Sequence, residues 1–307
     1  MSKTSLLKPG GKNPNALATL QGYSLAGKIA HTERKITEWY NHWEGQVYIS
    51  FSGGKDSTVL LHIARRLYPD IPAVFSDTGL EFPEIREFVK TIENVTWVKP
   101  KMSFYQVLQK YGYPIISKEQ ACYIDQYRNT QNEKLREKRW NGKEGHVSKI
   151  GKISEKWKYL VDAPFKISDR CCYVMKKAPL KSYESKTKRK PIIAIMAEES
   201  SLRSMNYRIH GCNAFNLKRP VSNPMTFWGE DDVWGYLRQF EVPYAEIYKK
   251  GYQRTGCIFC AFGCHLEKPE NRFQKLERTH PKLYNYCMDK LGMRQVLDWY
   301  LGERKDK

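Results

Sequence analysis

No apolar run in this chain approaches the ~20 residues needed to cross a bilayer, which excludes a membrane-spanning helix. The opening residues, Met1-Ser2-Lys3-Thr4-Ser5, lack the apolar core of a secretion signal. The two absences together predict a cytoplasmic protein that keeps clear of membranes. Acidic residues are scarce, since 33 Asp and Glu face 52 Lys and Arg and leave a formal net charge of +19. Such an excess favours an acidic partner, either a nucleic acid (RNA or DNA) or an anionic small molecule, through long-range attraction that salt weakens. The plainer alternative is a solvated basic surface. No fixed-period repeat and no long low-complexity segment interrupts the 307 residues, a length that can bury a real core in one large domain or two modest ones.

Hydrophobic runs alternate with helical periods over the first third of the sequence. A helix is predicted over His31–His42, a strand over Gln46–Phe51, and a helix over Ser57–Leu67, where Val59, Leu60, Ile63, Ala64 and Leu67 recur at helical spacing. A strand over Ile71–Phe75, a helix over Pro83–Ile92 and a strand over Val95–Val98 continue the rhythm, and Pro191–Met196 adds another short strand. Strand, helix, strand, helix, strand is the order of a parallel sheet wrapped by helices, an α/β Rossmann-like class. The predicted organisation is a flexible N-terminal arm over 1–25 and a nucleotide-binding domain over 26–228 with a basic helical insertion at 117–190. A wholly helical C-terminal region over 229–307 completes it. Asn141-Gly142-Lys143-Glu144-Gly145 reads as an exposed loop. Much of the positive charge falls in Lys134–Lys158 and Lys176–Lys190, beside Tyr127, Trp140, Trp157 and Tyr159. Basic groups next to rings suit a groove that tracks phosphates and stacks bases.

Ser52-Gly53-Gly54-Lys55-Asp56-Ser57 lies between a predicted strand and a predicted helix, where a parallel sheet offers its ligand crevice. Glycines let the backbone approach an anion with φ > 0, and the first amides of the helix that follows point at it. Asp56 or Ser57 could instead cap those amides. The Walker string G-x-x-x-x-G-K-[ST] is missing: Ile49 stands where its first glycine belongs, and Asp56 where its magnesium-binding hydroxyl belongs.

Eight cysteines in a cytoplasmic chain point to metal or catalysis, because that compartment keeps thiols reduced. Cys257 and Cys260 have the C-x-x-C spacing that grips one metal, with Cys264 and His265 close behind. Cys171 and Cys172 follow Ser168 and Asp169, either of which would cap a helix whose positive end lowers thiol pKa. Two pairs supply four soft ligands, enough for zinc or an iron–sulfur cluster. Cys122, Cys212 and Cys287 read as buried apolar side chains.

Taken together these segments resemble a known family. Ser52–Ser57 is similar to the PP-loop of the adenine nucleotide alpha-hydrolase superfamily. Four later segments resemble its phosphoadenosine phosphosulfate (PAPS) reductase branch: Asp77-Thr78-Gly79-Leu80-Glu81-Phe82-Pro83-Glu84, Cys171 to Leu180, Glu199-Ser200-Ser201-Leu202-Arg203 and Gly251 to Cys260. The resemblance implies that Ser52, Gly53, Gly54 and Ser57 hold nucleotide phosphates, with Lys55 and Asp56 as catalytic residues. Lys55 would add positive charge; Asp56 would orient magnesium or cap the helix. Ser76 and Asp77 would meet the adenosine, and Arg203 a phosphate or sulfate, its alternative being an ion pair with Glu198 or Glu199. Asp77 could equally cap a strand end, and Glu81 and Glu84 could start the helix at Pro83. The branch further implies a 4Fe-4S cluster on Cys171, Cys172, Cys257 and Cys260, with Cys264 as a substitute ligand and zinc as the alternative. Sulfonucleotide reductases carry a mobile C-terminal cysteine, and no cysteine follows Cys287 here. The expectation is therefore an ATP pyrophosphatase or sulfurtransferase that adenylates an acceptor, a nucleic acid among the candidates, aided by a sulfur-donor or thiol protein. A reductase of PAPS or adenylyl sulfate using an external thiol, and a nucleotide-binding regulator, are the alternatives. A homo-oligomer is compatible with either.

Overall fold

A computed structural model describes residues 15–142 and 151–302. In chain order its elements are α1 Asn15–Gln21, α2 Leu25–His42, β1 Val47–Phe51, α3 Lys55–Leu67, β2 Ala73–Ser76, α4 Pro83–Lys90, β3 Val95–Val98, α5 Phe104–Tyr111 and β4 Ile115–Ile116. There follow α6 Lys118–Asn129, α7 Glu133–Asn141, α8 Arg170–Cys172, α9 Ala178–Thr187, β5 Lys190–Ile193, α10 Ser201–His210, β6 Asn213–Ala214 and β7 Val221–Ser222. The last are α11 Glu230–Gln239, β8 Ala261–Phe262, α12 Arg272–Thr279, α13 Pro281–Asn285 and α14 Met293–Leu301. No helix among the described residues is long and apolar enough to cross a membrane.

The chain divides into two compact units that interleave along the sequence. The first takes the residues through Ser76, then Pro83–Val98 and Leu180–Thr255; the second takes Asp77–Phe82, Lys99–Pro179 and the residues from Gly256 onward. The linear division expected from the sequence therefore gives way, and the region from 229 is parted at Thr255.

The first unit holds a six-stranded sheet in the order β3-β2-β1-β5-β7-β6. Pairings among β3, β2, β1, β5 and β7 are parallel, and only the short β6–β7 pair is antiparallel. The register sets Ile49 beside Ala73 and Ile192, and these β-branched and small side chains are fully buried. Burial on both faces explains why β1 reads as a continuous apolar run without alternation. Helix α3 packs on the sheet through Val59, Leu60, Ile63 and Ala64, four of the five residues whose spacing predicts it. Because β2 and β5 lie on opposite sides of β1, strand order reverses there, and the carboxyl end of β1 opens at the switch point where such sheets bind ligands.

The second unit is mostly helical. Among its described residues one strand pair, β4 with β8, joins Ile115 to Ala261 and Ile116 to Phe262 in parallel. That pair corrects the expectation of an all-helical C-terminal region; two residues carry no readable alternation. Helix α1 lies inside the stretch expected to be a flexible arm, while residues 1–14 are outside the described ones. Most of the expected 141–145 loop is also outside them, although Gly142 ends α7 with φ +96°.

Candidate nucleotide cradle and thiol cluster

The cradle belongs wholly to the first unit and is stitched by its own hydroxyls. Ser52 N–H donates to Ser57 Oγ at 3.2 Å, the Ser52 and Ser57 hydroxyls lie 3.0 Å apart, and Ser57 Oγ donates to Gly54 O at 2.9 Å. Thr58 Oγ1 donates to the same carbonyl at 3.0 Å. Gly53 has φ +72°, and a Cβ there would stand 2.7 Å from Val89 Cγ2 and 2.8 Å from Ile85 Cγ2. Glycine is thus required both for its backbone angle and for the closeness of α4.

Helix α3 begins at Lys55, two residues earlier than the periodicity predicts, with Gly54 as its N-cap and no side chain capping it. Neither Asp56 nor Ser57 is the cap, because both fall inside the first turn. The Lys55 amide instead donates to Tyr248 Oη at 2.8 Å. The Lys55 side chain is buried, its Nζ donating to Gln253 O at 3.0 Å and lying 3.5 Å from Glu230 Oε1 and 3.6 Å from Asp56 Oδ1. The Tyr248 and Trp234 rings stand 5.6 and 6.0 Å away. The ammonium that the sequence reading aims at a phosphate is thus held by its own chain.

Asp56 Oδ1 is buried without a hydrogen-bond partner, and burial raises the carboxyl's pKa against the opposing pull of Lys55. An under-coordinated hard oxygen beside a phosphate cradle fits a magnesium ion. Arg203, on α10, pairs with Glu199, the ion pair that competes with an anion for its guanidinium. Burial lowers its pKa and the Arg254 guanidinium lowers it further, while the Asp56 charge opposes both. Ser76 closes β2 and is half-buried. Nothing in the sequence ties Tyr248 to Lys55 across 193 positions, so only the fold makes it a residue of the site.

In the second unit Asp77 is buried, with Lys99 Nζ 4.0 Å from its carboxylate. Glu81 does not start a helix: its carboxylate accepts from Thr78 N–H at 3.1 Å and from Thr78 Oγ1 at 2.6 Å. Glu84 does lie in the first turn of α4, within the first unit, and pairs with Lys250.

Cys171, Cys172, Cys257 and Cys260 line one cavity of the second unit, together with Lys176 and apolar side chains that include Phe104 and Met175. Cys264 is buried and is not on that wall, which favours the quartet over the substitute. Asp169 stands at the N-cap of the turn that presents Cys171 and Cys172 but makes no side-chain capping bond, whereas Ser168 Oγ accepts from Arg170 N–H at 3.0 Å. The expected lowering of thiol pKa is overturned at Cys171, where burial and the neighbouring thiols push it up. Burial likewise pushes Cys260 up to about 11 and raises Cys257. Lys176 reaches into the group from the π turn that follows Cys172; it hydrogen-bonds Cys257, whose charge is the main reason its own pKa rises. Lys176 falls within the Cys171 to Leu180 segment, where spacing alone assigns it no role. Among the described residues no three Cys, His, Asp or Glu side chains converge as oriented on a single metal ion. The donor set nevertheless suits a soft metal group: four thiols, one cation to balance thiolate charge, and an otherwise apolar lining. Of the remaining cysteines, Cys212 and Cys287 are buried as expected and Cys122 is half-buried on α6.

The family described as phosphoadenosine phosphosulfate reductase domain matches residues 46–136 and 117–262. An uncharacterized protein of Methanocaldococcus jannaschii is 26% identical over 285 residues, covering 91% of this chain and 54% of its own. The chain spans about half the length of the first curated relatives it matches. The adenosine 5'-phosphosulfate reductase of Staphylococcus epidermidis is 24% identical over 227 residues, 74% of this chain and 75% of that one. Among solved structures, PAPS reductase from Candida auris in a phosphate complex matches at TM-score 0.42 and 15% identity, over 83% of this chain and 98% of that one.

Proposed function

The chain belongs to the phosphoadenosine phosphosulfate reductase domain family, and on that premise we propose that it is an adenylating enzyme of sulfur metabolism that uses ATP as its fuel. The supporting observation is that one chain carries both a self-stitched PP-loop at the end of β1 and four thiols on one cavity wall. In this reading Ser52, Gly53, Gly54 and Ser57 hold the nucleotide phosphates, Asp56 holds magnesium, and Arg203 steadies an oxyanion, a task suited to its planar fork. An acceptor oxygen attacks the α-phosphorus of ATP, the bond to the β-phosphate breaks, and pyrophosphate leaves. A sulfur nucleophile from a donor then displaces AMP from the activated acceptor. Cys171, Cys172, Cys257 and Cys260 would hold an iron–sulfur cluster, 4Fe-4S by family resemblance. When bound, such a cluster supplies electron transfer or a sulfur-binding iron. Lys176 keeps thiolate charge balanced in that wall. The positive charge of the chain makes a nucleic acid the favoured acceptor.

A second reading is reduction of adenylyl sulfate or PAPS, favoured by the reductase relative that covers three quarters of each chain. Outside the quartet, every cysteine among the described residues is buried or half-buried, so this reading takes its attacking thiol from another molecule. The discriminating experiment uses anaerobically purified protein and follows pyrophosphate release from ATP with and without RNA or DNA, beside sulfite release from adenylyl sulfate and PAPS with a dithiol. Pyrophosphate release that nucleic acid stimulates is the expected result. Sulfite without pyrophosphate would overturn the ATP reading and select the second. A brown sample absorbing broadly near ~400 nm checks the cluster, and a colourless zinc-loaded one removes it.

A further inference from the structure

Within the first unit, residues 253–255 are pinned to the PP-loop on both sides of Arg254. On one side Gln253 O accepts the Lys55 ammonium at 3.0 Å. On the other, Thr255 Oγ1 lies 3.2 Å from Tyr248 Oη, the same hydroxyl that accepts the Lys55 amide at 2.8 Å. Thr255 Oγ1 is also 2.9 Å from the point where a Cβ on Gly54 would stand, so the segment is seated against the loop itself. Its two anchors use up the ammonium and the first helix amide that a phosphate would otherwise engage.

Arg254 lies between these anchors in the chain and is exposed. Among the described residues it has no hydrogen bond and no ion pair, yet its charge is felt by both Asp56 and Arg203. Two guanidiniums thus stand near one carboxylate, and Arg203 already has Glu199. Glu199 and Glu230 answer the Arg203 and Lys55 charges, so the unmatched group is Arg254, an exposed guanidinium on a pinned segment with its planar fork open to an anion.

We propose that Arg254 is a phosphate-binding residue of the cradle, taking with Arg203 the cationic role that the sequence assigns to Lys55. Its ligand class is the polyphosphate or sulfonyl-phosphate portion of an adenine nucleotide, and Lys55 serves to hold the 253–255 segment in place. The proposal rests on the cradle reading above and deepens it.

The test titrates ATP, AMP and adenosine into the full-length protein and its R254A, R254K and R254E variants. Losing one charge-assisted contact corresponds to an affinity loss of about 10- to 100-fold. R254A is expected to weaken ATP by that factor with adenosine unchanged, R254K to recover part of it, and R254E to weaken ATP further. Matching thermal unfolding of the variants confirms that the fold is intact, as expected at an exposed position. If the unaltered protein prefers ATP to adenosine and R254A keeps that preference, the proposal is overturned while the cradle stands. If the unaltered protein binds none of the three, cradle and proposal fall together.

Discussion

At the scale of single residues, the cradle depends on one glycine more than on any side chain. Gly53→Ala combines a left-handed φ, costing about 1–3 kcal/mol for a residue with a Cβ, with overpacking against Val89 and Ile85 of a further ~1–3 kcal/mol. Gly79 also has positive φ, at +74°, but nothing stands within 4 Å of its would-be Cβ, so Gly79→Ala carries the strain alone. Urea unfolding should show the first substitution clearly more destabilising, and equal losses would refute the packing half of the argument. A second residue ties stability to pH. Burial, with Arg34 and Lys35 nearby, holds His31 down to about 4, and its ring meets the edge of Phe227 at 4.9 Å. Since this folded-state pKa lies below the unfolded value of about 6.5, the unfolded chain takes up a proton in that window that the native imidazole refuses. Stability should therefore fall as pH drops from about 6.5 toward 4, and His31→Gln should flatten that part of a melting-temperature profile. Only part of this is written locally. The thiol quartet is legible because C-C and C-x-x-C spacing encodes it, and the PP-loop because glycines after an apolar run encode it. The direction of Lys55 is not, because Gln253, Glu230 and Tyr248 reach it from far along the chain.

Among the elements, the buried strands β1 and β2, the helices α3 and α4 and the part-exposed edge strand β3 match their sequence signals. β1, α3, β2, α4 and β3 appear in the predicted order with ends shifted by up to two residues, because runs such as Val47–Phe51 have no other stable place. β4, β6, β7 and β8 are two residues each and leave no period to read. Within the region expected to be helical, residues 271–291 form α12, α13 and a π turn, broken where Pro281 starts a new helix after His280. Helix α7 is a different case, for it buries no residue at all. A helix of nine residues with only Leu135 and Trp140 apolar is not stable alone, so its contacts with α6 must hold it. Trp140 stacks on Tyr127 at 5.1 Å with Lys158 Nζ 4.4 Å from its ring, and Arg139 lies over Tyr123 at 4.1 Å. Trp140→Ala removes the stack, worth about 0.5–1.5 kcal/mol beyond its buried area. Hydrogen exchange over 133–141 should quicken while the urea midpoint of the whole protein barely moves. A large global loss with unchanged local exchange would show that α7 is held by something else.

For the molecule as a whole, the interleaving of the two units decides what can be cut away. The sequence suggests a boundary near residue 228, because the strand signals end before it and helical patterns follow. Burial places the next stretch with the sheet: α11 contributes Val233, Tyr236 and Leu237 to the first unit's core, and Tyr236 Oη lies 2.8 Å from His62 Nδ1. Asp232 also pairs at 2.6 Å with Lys28, a residue only 6% exposed. A fragment ending at 228 would leave that ammonium buried without its carboxylate, a loss of about 3–5 kcal/mol, in addition to the apolar area that α11 covers. Native stabilities are commonly only about 5–15 kcal/mol, so these terms together should unfold the sheet. It would lack Tyr248 as well, and with it the acceptor for the first amide of α3. Residues 1–228 should therefore express as an insoluble or non-cooperatively unfolding chain, judged by near-UV circular dichroism and urea titration. A soluble 1–228 fragment that unfolds in one sharp step and still prefers ATP to adenosine would mean that the linear boundary is right. The second unit would then own everything after residue 228, and the packing of α11 on α2 and α3 would count for little.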